Sequence, residues 1–213
     1  MTKRNISMAV IRRLPKYHRY LSEMMERGID RISSKELSEI IGFSASQIRQ
    51  DFNNFGEFGQ QGYGYNVQDL YREITTIIGL DQTYKVIIVG AGNLGGALAN
   101  YGFQNLGFDI ISLFDNDSKK IGKKVSDIEI RDINILETYM SKNPVDIAII
   151  TTPVQIAQDI ADRLIISGVR SIWNFTPNDL IVPEDLIVEN VHLVDSLMTV
   201  AYLLNEDKHG AVS

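Results

Sequence analysis

The chain holds 213 residues, 44% of them hydrophobic and 23% charged, the balance of a globular protein and not of a disordered or fibrous one. It has no cysteine, which excludes disulfides, thiolate metal sites and thiol-based redox sensing. No apolar run approaches the roughly 18 residues of a membrane span, and no signal-peptide core follows Met1, so the expectation is a cytoplasmic protein.

The net charge of −6 averages two unlike halves. Residues 1–80 carry 11 Lys and Arg against 9 Asp and Glu, whereas residues 81–213 carry 10 against 18. Six basic side chains (Lys3, Arg4, Arg12, Arg13, Lys16 and Arg19) precede the first acid, Glu23. Opposite signs suggest two domains, the N-terminal one facing a polyanion, although a basic run can also be a solvated helix face.

Within residues 1–80, Pro15 suits the first turn of a helix, and Leu14, Tyr17, Leu21, Met24 and Met25 follow a 3.6-residue period until Gly28. Ser33 with Glu36 is a capping-box pattern opening a second helix, with Leu37, Ile40 and Ile41 as its buried stripe. Gly42 supplies a turn, and Ser44 with Gln47 repeats the capping pattern before a third helix that runs to about Asn53. Two short helices joined by a tight turn read as helix-turn-helix. Residues 55–65 then place four glycines and four aromatics in eleven positions, a composition that denies a helix and suits a two-stranded wing. Val67, Leu70, Ile74 and Ile77 close a winged-helix domain. In such a domain the third helix enters the major groove. Ser44 opens it, and Ser46, Gln47, Arg49 and Gln50 are its polar readers, with Gln60, Gln61 and Tyr63 in the wing over the minor groove. Arg12 and Lys16 touch phosphate or hold a domain junction; the sequence does not separate the two roles.

A second domain spans 84–192. The apolar strand from Lys85 to Val89 runs into Gly90-Ala91-Gly92-Asn93-Leu94-Gly95 and then a helix start, the context that the dinucleotide fingerprint requires. Gly90 makes the tight turn, Gly92 lets the backbone approach a pyrophosphate, and Gly95 lets helix and strand pack closely. A pyrophosphate would rest at the helix N-terminus. The next strand, Ile110 to Phe114, ends at Asp115, placed for adenosine ribose hydroxyls and favouring NAD(H) over NADP(H). Lys119, Lys120, Lys123 and Lys124 follow and soften that preference. Further strands at 146–152 and 171–175, with a helix from Gln155 to Ser167 between them, continue a doubly wound parallel sheet of Rossmann type. Their carboxyl ends nominate Thr152, Pro153, Asn174 and Phe175 as cofactor walls, and Tyr101 falls near the cleft as a switch residue or as packing.

A dehydrogenase needs a proton donor or acceptor beside the nicotinamide. None of His18, His192 and His209 sits on a strand-end loop of the sheet, so the expectation is a bound dinucleotide, no catalysis, no metal and no substrate turned over. The rivals are an NAD-dependent oxidoreductase with a helical cap and a CoA-binding domain, the latter disfavoured by Asp115. In the segment 193–207, seven of the eight residues from Leu197 to Leu204 are apolar. A helix apolar all round is buried all round, which points to a second subunit.

The chain resembles the Rex family of redox-sensing transcriptional repressors over nearly its whole length. The likeness is carried by Ser46-Gln47-Ile48-Arg49-Gln50-Asp51, Phe55-Gly56-Glu57-Phe58-Gly59, Gly62-Tyr63-Gly64-Tyr65, the glycine turn at 90–95 and Asn174-Phe175-Thr176-Pro177. It implies a homodimer with the C-terminal helix swapped onto its partner. It implies binding to palindromic double-stranded operator DNA when NADH is scarce, release when NADH occupies the Rossmann domain, and competition by NAD+ without release. Two positions depart from the family pattern. Gln60-Gln61 stand where basic wing residues are usual, which weakens minor-groove grip and flattens salt dependence. His192 stands where an Asp of the inter-domain switch is usual, and Asp195 is a possible substitute.

Overall fold

The computed structural model describes residues 6–55 and 63–210, with the side chains of all of these but 208–210. Two compact units, Met1–Gln82 and Thr83–Ser213, make up the chain.

In the first unit, α1 (Met8–Ile11) and α2 (Leu14–Glu26) lead to β1 (Arg31–Ile32), α3 (Ser34–Ile41), α4 (Ala45–Asn53), β2 (Tyr65–Asn66) and α5 (Val67–Ile77). Local chemistry sets the helix starts. Ser33 accepts the Glu36 N–H at 3.1 Å while the Glu36 carboxylate accepts the Ser33 N–H at 2.8 Å, a complete capping box. Such a cap stabilises by about 1 kcal/mol. Ser44 caps α4 through the Gln47 N–H, but the Gln47 side chain does not reach back; it is spent on Asp51. The second capping box is therefore only half present.

Tyr17, Leu21 and Met24 of α2 pack with Leu37 and Ile41 of α3, Ile48 and Phe52 of α4, and Leu70 and Ile74 of α5 into one core. Phe52 meets Tyr17 edge-on at 4.9 Å and Tyr65 at 5.1 Å between ring centroids. Ile40, expected in the stripe, is 48% exposed, and Met25 is at the rim of α2. On an eight-residue helix the buried stripe is narrower than the run of apolar residues, and Leu37 and Ile41 fill it.

The pairing of β2 differs from the hairpin reading. Tyr65–Asn66 lies antiparallel to Arg31–Ile32, the two-residue strand between α2 and α3. A Cβ on Gly64 would sit 2.8 Å from the Ile32 carbonyl oxygen, so this approach needs glycine. Residues 56–62, the greater part of the expected wing with Gln60 and Gln61, lie outside the described residues.

The second unit is a seven-stranded sheet in the order β5-β6-β4-β3-β7-β8-β9, built from β3 (Tyr84–Val89), β4 (Phe108–Asp115), β5 (Lys124–Val125), β6 (Ile128–Asp132), β7 (Ile147–Ile150), β8 (Ser171–Asn174) and β9 (Ile187–Asn190). Every neighbouring pair is parallel except the β5–β6 hairpin. Helices α6 (Asn93–Ala99), α7 (Leu136–Met140) and α8 (Val154–Ile166) connect the strands. Both faces are covered, which explains why the strands read as continuous apolar runs. Ile87 and Val89 point into a core with Leu136, Ala157, Ala161 and Leu164. Val86 and Ile88 point the other way, into a core with Ala99, Ile110 and Leu113. This is the doubly wound α/β order, with its switch point between β3 and β7.

Helix α9 (Leu193–Gly210) follows β9. Leu193, Val194, Leu197, Met198, Val200, Tyr202, Leu203 and Leu204 are all more than half exposed on it.

Candidate functional site

The glycine turn joins β3 to α6 at the switch point. Gly90 adopts φ +105°, and a Cβ there would meet Thr151 of the neighbouring strand end at 2.9 Å. A Cβ on Gly95 would lie 1.9 Å from the Gly90 carbonyl oxygen, so α6 starts hard against the turn only because both positions lack a side chain. Gly92, the N-cap of α6, is the opposite case: nothing lies within 4 Å of its Cβ position. Two glycines serve packing and one leaves open space in front of the first helical N–H groups, where the helix dipole favours an anion. Asn93 is exposed and Leu94 half-buried beside it.

A cleft of about 760 Å³ opens there, lined among others by Gly90, Gly92, Asp115, Lys120, Thr152 and Pro153. The Thr152 hydroxyl is buried without a hydrogen-bond partner, a polar group left for a ligand to satisfy. Asp115 ends β4 as expected but is already engaged. Its Oδ2 accepts the Ala91 N–H and the Lys120 ammonium, each at 2.9 Å, and its Oδ1 accepts the Asp117 N–H at 2.9 Å. Burial pushes its carboxyl up, yet the Asp117 N–H and Lys120 outweigh burial and hold it below the usual carboxylate range. A carboxylate accepts about four hydrogen bonds, so one acceptor site remains for a ribose hydroxyl. Ala91 acts through this brace: its N–H ties the turn to β4. Lys120 is the lysine, of the four that follow Asp115, that reaches this carboxylate.

Two of the expected walls, Asn174 and Phe175, and the expected cleft residue Tyr101 make contacts of their own. Asn174 is fully buried. Its amide donates to the Asn178 carbonyl and to Asn190 Oδ1, and its oxygen accepts from the Thr176 N–H and hydroxyl. With all four hydrogen bonds made, it braces the β8 and β9 ends and offers nothing to a ligand. Phe175 packs on Trp173 at 4.6 Å. Tyr101, two residues past α6, is 72% exposed and rests on Phe103 at 4.8 Å, away from the lining of the cleft. The half-buried Arg163 at the cleft rim was missing from the sequence reading. It grips Glu137 at 2.6 Å and 3.0 Å and the Ile133 carbonyl at 2.7 Å, closing one wall.

In the first unit α4 presents Ser46, Arg49 and Gln50 outward. Arg49 reaches the Ser34 hydroxyl at 2.9 Å, which holds the guanidinium over the α3–α4 corner. Ser46 and Ser44 share a hydrogen bond at 3.0 Å. Gln47, expected as a reader, donates its amide to Asp51 at 2.9 Å. Tyr63 is 70% exposed, with its carbonyl accepting from Arg31 at 3.3 Å. Arg12 is exposed, and the Lys16 ammonium lies 4.7 Å from the Phe43 ring centroid. His192, just before α9, stands between Asp179 at 3.5 Å and Asp195 at 3.6 Å, its Nε2 buried without a hydrogen bond. Among the described residues no cluster of His, Asp and Glu suits a metal ion.

Two family models match the chain, one described as putative DNA-binding protein N-terminus over residues 5–53 and one as CoA binding domain over residues 81–178. The redox-sensing transcriptional repressor Rex of Clostridium beijerinckii is 59% identical over 206 residues, covering 96% of this chain and 98% of that protein. The repressor of the same name from Clostridium acetobutylicum is 58% identical over 96% of both chains. Among solved structures, the Rex-family repressor RSP with β-NAD+ and operator DNA superposes with a TM-score of 0.91 at 55% identity, covering 97% of this chain and 95% of that one. RSP with β-NADH gives 0.90 at 52% identity, covering 97% and 98%.

Proposed function

Since the chain belongs to the Rex family of redox-sensing transcriptional repressors, we propose that it binds palindromic operator DNA as a homodimer and releases it when NADH occupies the glycine-turn cleft. One observation carries the reading: the likeness to a repressor solved with NAD+ and operator DNA spans both units of this chain at 55% identity. The cleft fits the ligand. The open space before Gly92 takes the pyrophosphate, the free acceptor site of Asp115 takes a ribose hydroxyl, and the orphan Thr152 hydroxyl takes a further polar group. Ser46, Arg49, Gln50 and the exposed Tyr63 face the DNA. The apolar helix α9 is buried against a second copy of the chain, since eight exposed apolar side chains on one helix are costly in water. A DNA-binding repressor acts in the cytoplasm.

Redox discrimination follows from charge. The reduced nicotinamide ring is neutral and the oxidised ring cationic, so an apolar pocket takes the first and resists desolvating the second. To move a dimer from 99% DNA-competent to 1%, NADH must prefer the released state by about 10⁴-fold in total, or about 10² per site. His192 with Asp195, 3.6 Å apart, is the candidate for the contact that distinguishes the two states.

Calorimetric titration of the full chain with NADH, NAD+ and CoA tests the nucleotide half, and selection from a promoter-fragment pool tests the DNA half. The reading requires NADH to bind more tightly than CoA and requires a selected palindrome. CoA binding in preference to NADH, with no DNA selected, would give the cleft to another ligand.

A further inference from the structure

Among the described residues of the first unit, the most enclosed charged group is a carboxylate turned toward α2. Asp51 lies on α4, near its C-terminal end, and is 0% exposed. Its Oδ2 accepts Arg13 Nε at 2.6 Å and the Tyr17 hydroxyl at 2.8 Å; its Oδ1 accepts Arg13 Nη2 at 2.7 Å and Gln47 Nε2 at 2.9 Å. All four acceptor sites are filled. The donors come from the α1–α2 junction, from the first turn of α2 and from one turn back on α4 itself.

The arrangement is directional in a way apolar packing is not. Ile48 and Phe52 bury α4 against the core, but such contacts tolerate sliding and small rotation. A planar guanidinium gripping a carboxylate with two parallel hydrogen bonds fixes both distance and rotation. On a nine-residue helix that rotation decides which side chains point outward. With Asp51 and Gln47 pinned inward one turn apart, Ser46, Arg49 and Gln50 are turned to solvent.

We propose that Asp51 is a positioning residue for operator recognition: through Arg13, Tyr17 and Gln47 it indexes the recognition helix to α2 and so aims Arg49 and Gln50. The inference rests on the DNA-binding reading above. It withdraws Arg13 from phosphate contact and Gln47 from base contact. Specificity then falls to the outward residues alone.

The test must separate aim from stability, because leaving the half-buried Arg13 without its counter-ion destabilises the unit. Replacing a buried ion pair by apolar residues of similar volume is often neutral or stabilising, so the double variant Arg13→Met, Asp51→Leu recovers stability without recovering direction. Thermal melts, operator affinity and affinity for a scrambled duplex are measured on the full chain for wild type, Asp51→Asn, Tyr17→Phe and the double variant. The proposal predicts that operator selectivity over the scrambled duplex falls at least tenfold in Asp51→Asn and stays low in the double variant even as its melting temperature returns. Tyr17→Phe, which removes one bond of four, loses selectivity by a smaller factor. NADH affinity is unchanged throughout. If selectivity returns with stability in the double variant, Asp51 is a structural brace only and the proposal fails. Should the double variant not fold, Asp51→Asn measured well below its transition decides: wild-type selectivity there overturns the proposal. A wild-type chain that does not distinguish the two duplexes would instead refute the DNA-binding reading itself.

Discussion

The two candidate sites are held by different parts of the chain. The glycine turn is shaped by backbone: Gly90 and Gly95 permit contacts that any Cβ would block, and Gly92 leaves the room where an anion fits. Helix α4 is held by side chains, through a carboxylate whose partners lie up to 38 residues away. The first device is closely packed, with no room for a side chain at Gly90 or Gly95. The second fixes the rotation of one helix through four hydrogen bonds to a single carboxylate.

The sharpest way to break the comparison is to fill the turn. Gly95→Ala puts a methyl group 1.9 Å from the Gly90 carbonyl, and calorimetry is expected to show NADH affinity falling more than 100-fold, at a stability cost of about 3 kcal/mol. Gly96→Ala, one residue on and with nothing within 4 Å, is the matched control. It leaves NADH binding unchanged and, as helix propensity favours Ala over Gly, stabilises by about 1 kcal/mol. Loss of binding in both variants would mean the turn is fragile and not specifically packed.

In the first unit Phe52→Ala, which empties the space between Tyr17 and Tyr65, is expected to cost about 3–5 kcal/mol by denaturant titration while sparing NADH affinity. Gln50→Ala should weaken operator binding by about 1–3 kcal/mol and relax preference at one base pair, measured by binding to single-substitution operators. Gln47→Ala, by contrast, should lower discrimination modestly at every position the outward residues read and not at one base pair alone. A base-specific effect at Gln47 would return it to the reading face.

The smallest effect is one of pH. His18 is buried on α2, stacked on Tyr71 at 4.5 Å, and burial holds its imidazole below the ordinary value of 6.5. The neutral form is favoured in the fold, so its contribution is complete above pH 6.5 and is lost as pH falls through that value toward the lower folded one. Asp51 adds a loss at lower pH. Burial pushes its carboxyl up, but Arg13, Tyr17 and Gln47 hold it below the ordinary 3.8, and its contribution disappears as pH drops through the folded value. The melting temperature of the first unit should decline below about pH 6.5, and His18→Phe should flatten that decline without touching the acid limb.

Legibility in the sequence follows the same division. The strand, the glycine turn, the helix and the acid after the next strand are local and in order, so the turn and the doubly wound sheet could be read directly. The helix-turn-helix was legible because Ser33 with Glu36 and Ser44 with Gln47 each mark a helix start. Asp51 could not be read, since an acid on a presumed DNA-facing helix gives no local sign of being buried by Arg13 and Tyr17. Asn174 looked like a cofactor wall because it ends a strand; its satisfaction by Asn178 and Asn190 depends on a neighbouring strand that the apolar pattern does not reveal. The pairing of β1 with β2 was hidden because two residues show no period.

One measurement bears most directly on the account: fluorescence anisotropy of a labelled palindromic operator with the full chain, titrated with NADH and then NAD+ at fixed salt. The account predicts that NADH releases the DNA at concentrations where NAD+ leaves it bound, and that excess NAD+ shifts the NADH curve to higher concentration. Tight operator binding indifferent to both nucleotides would contradict it.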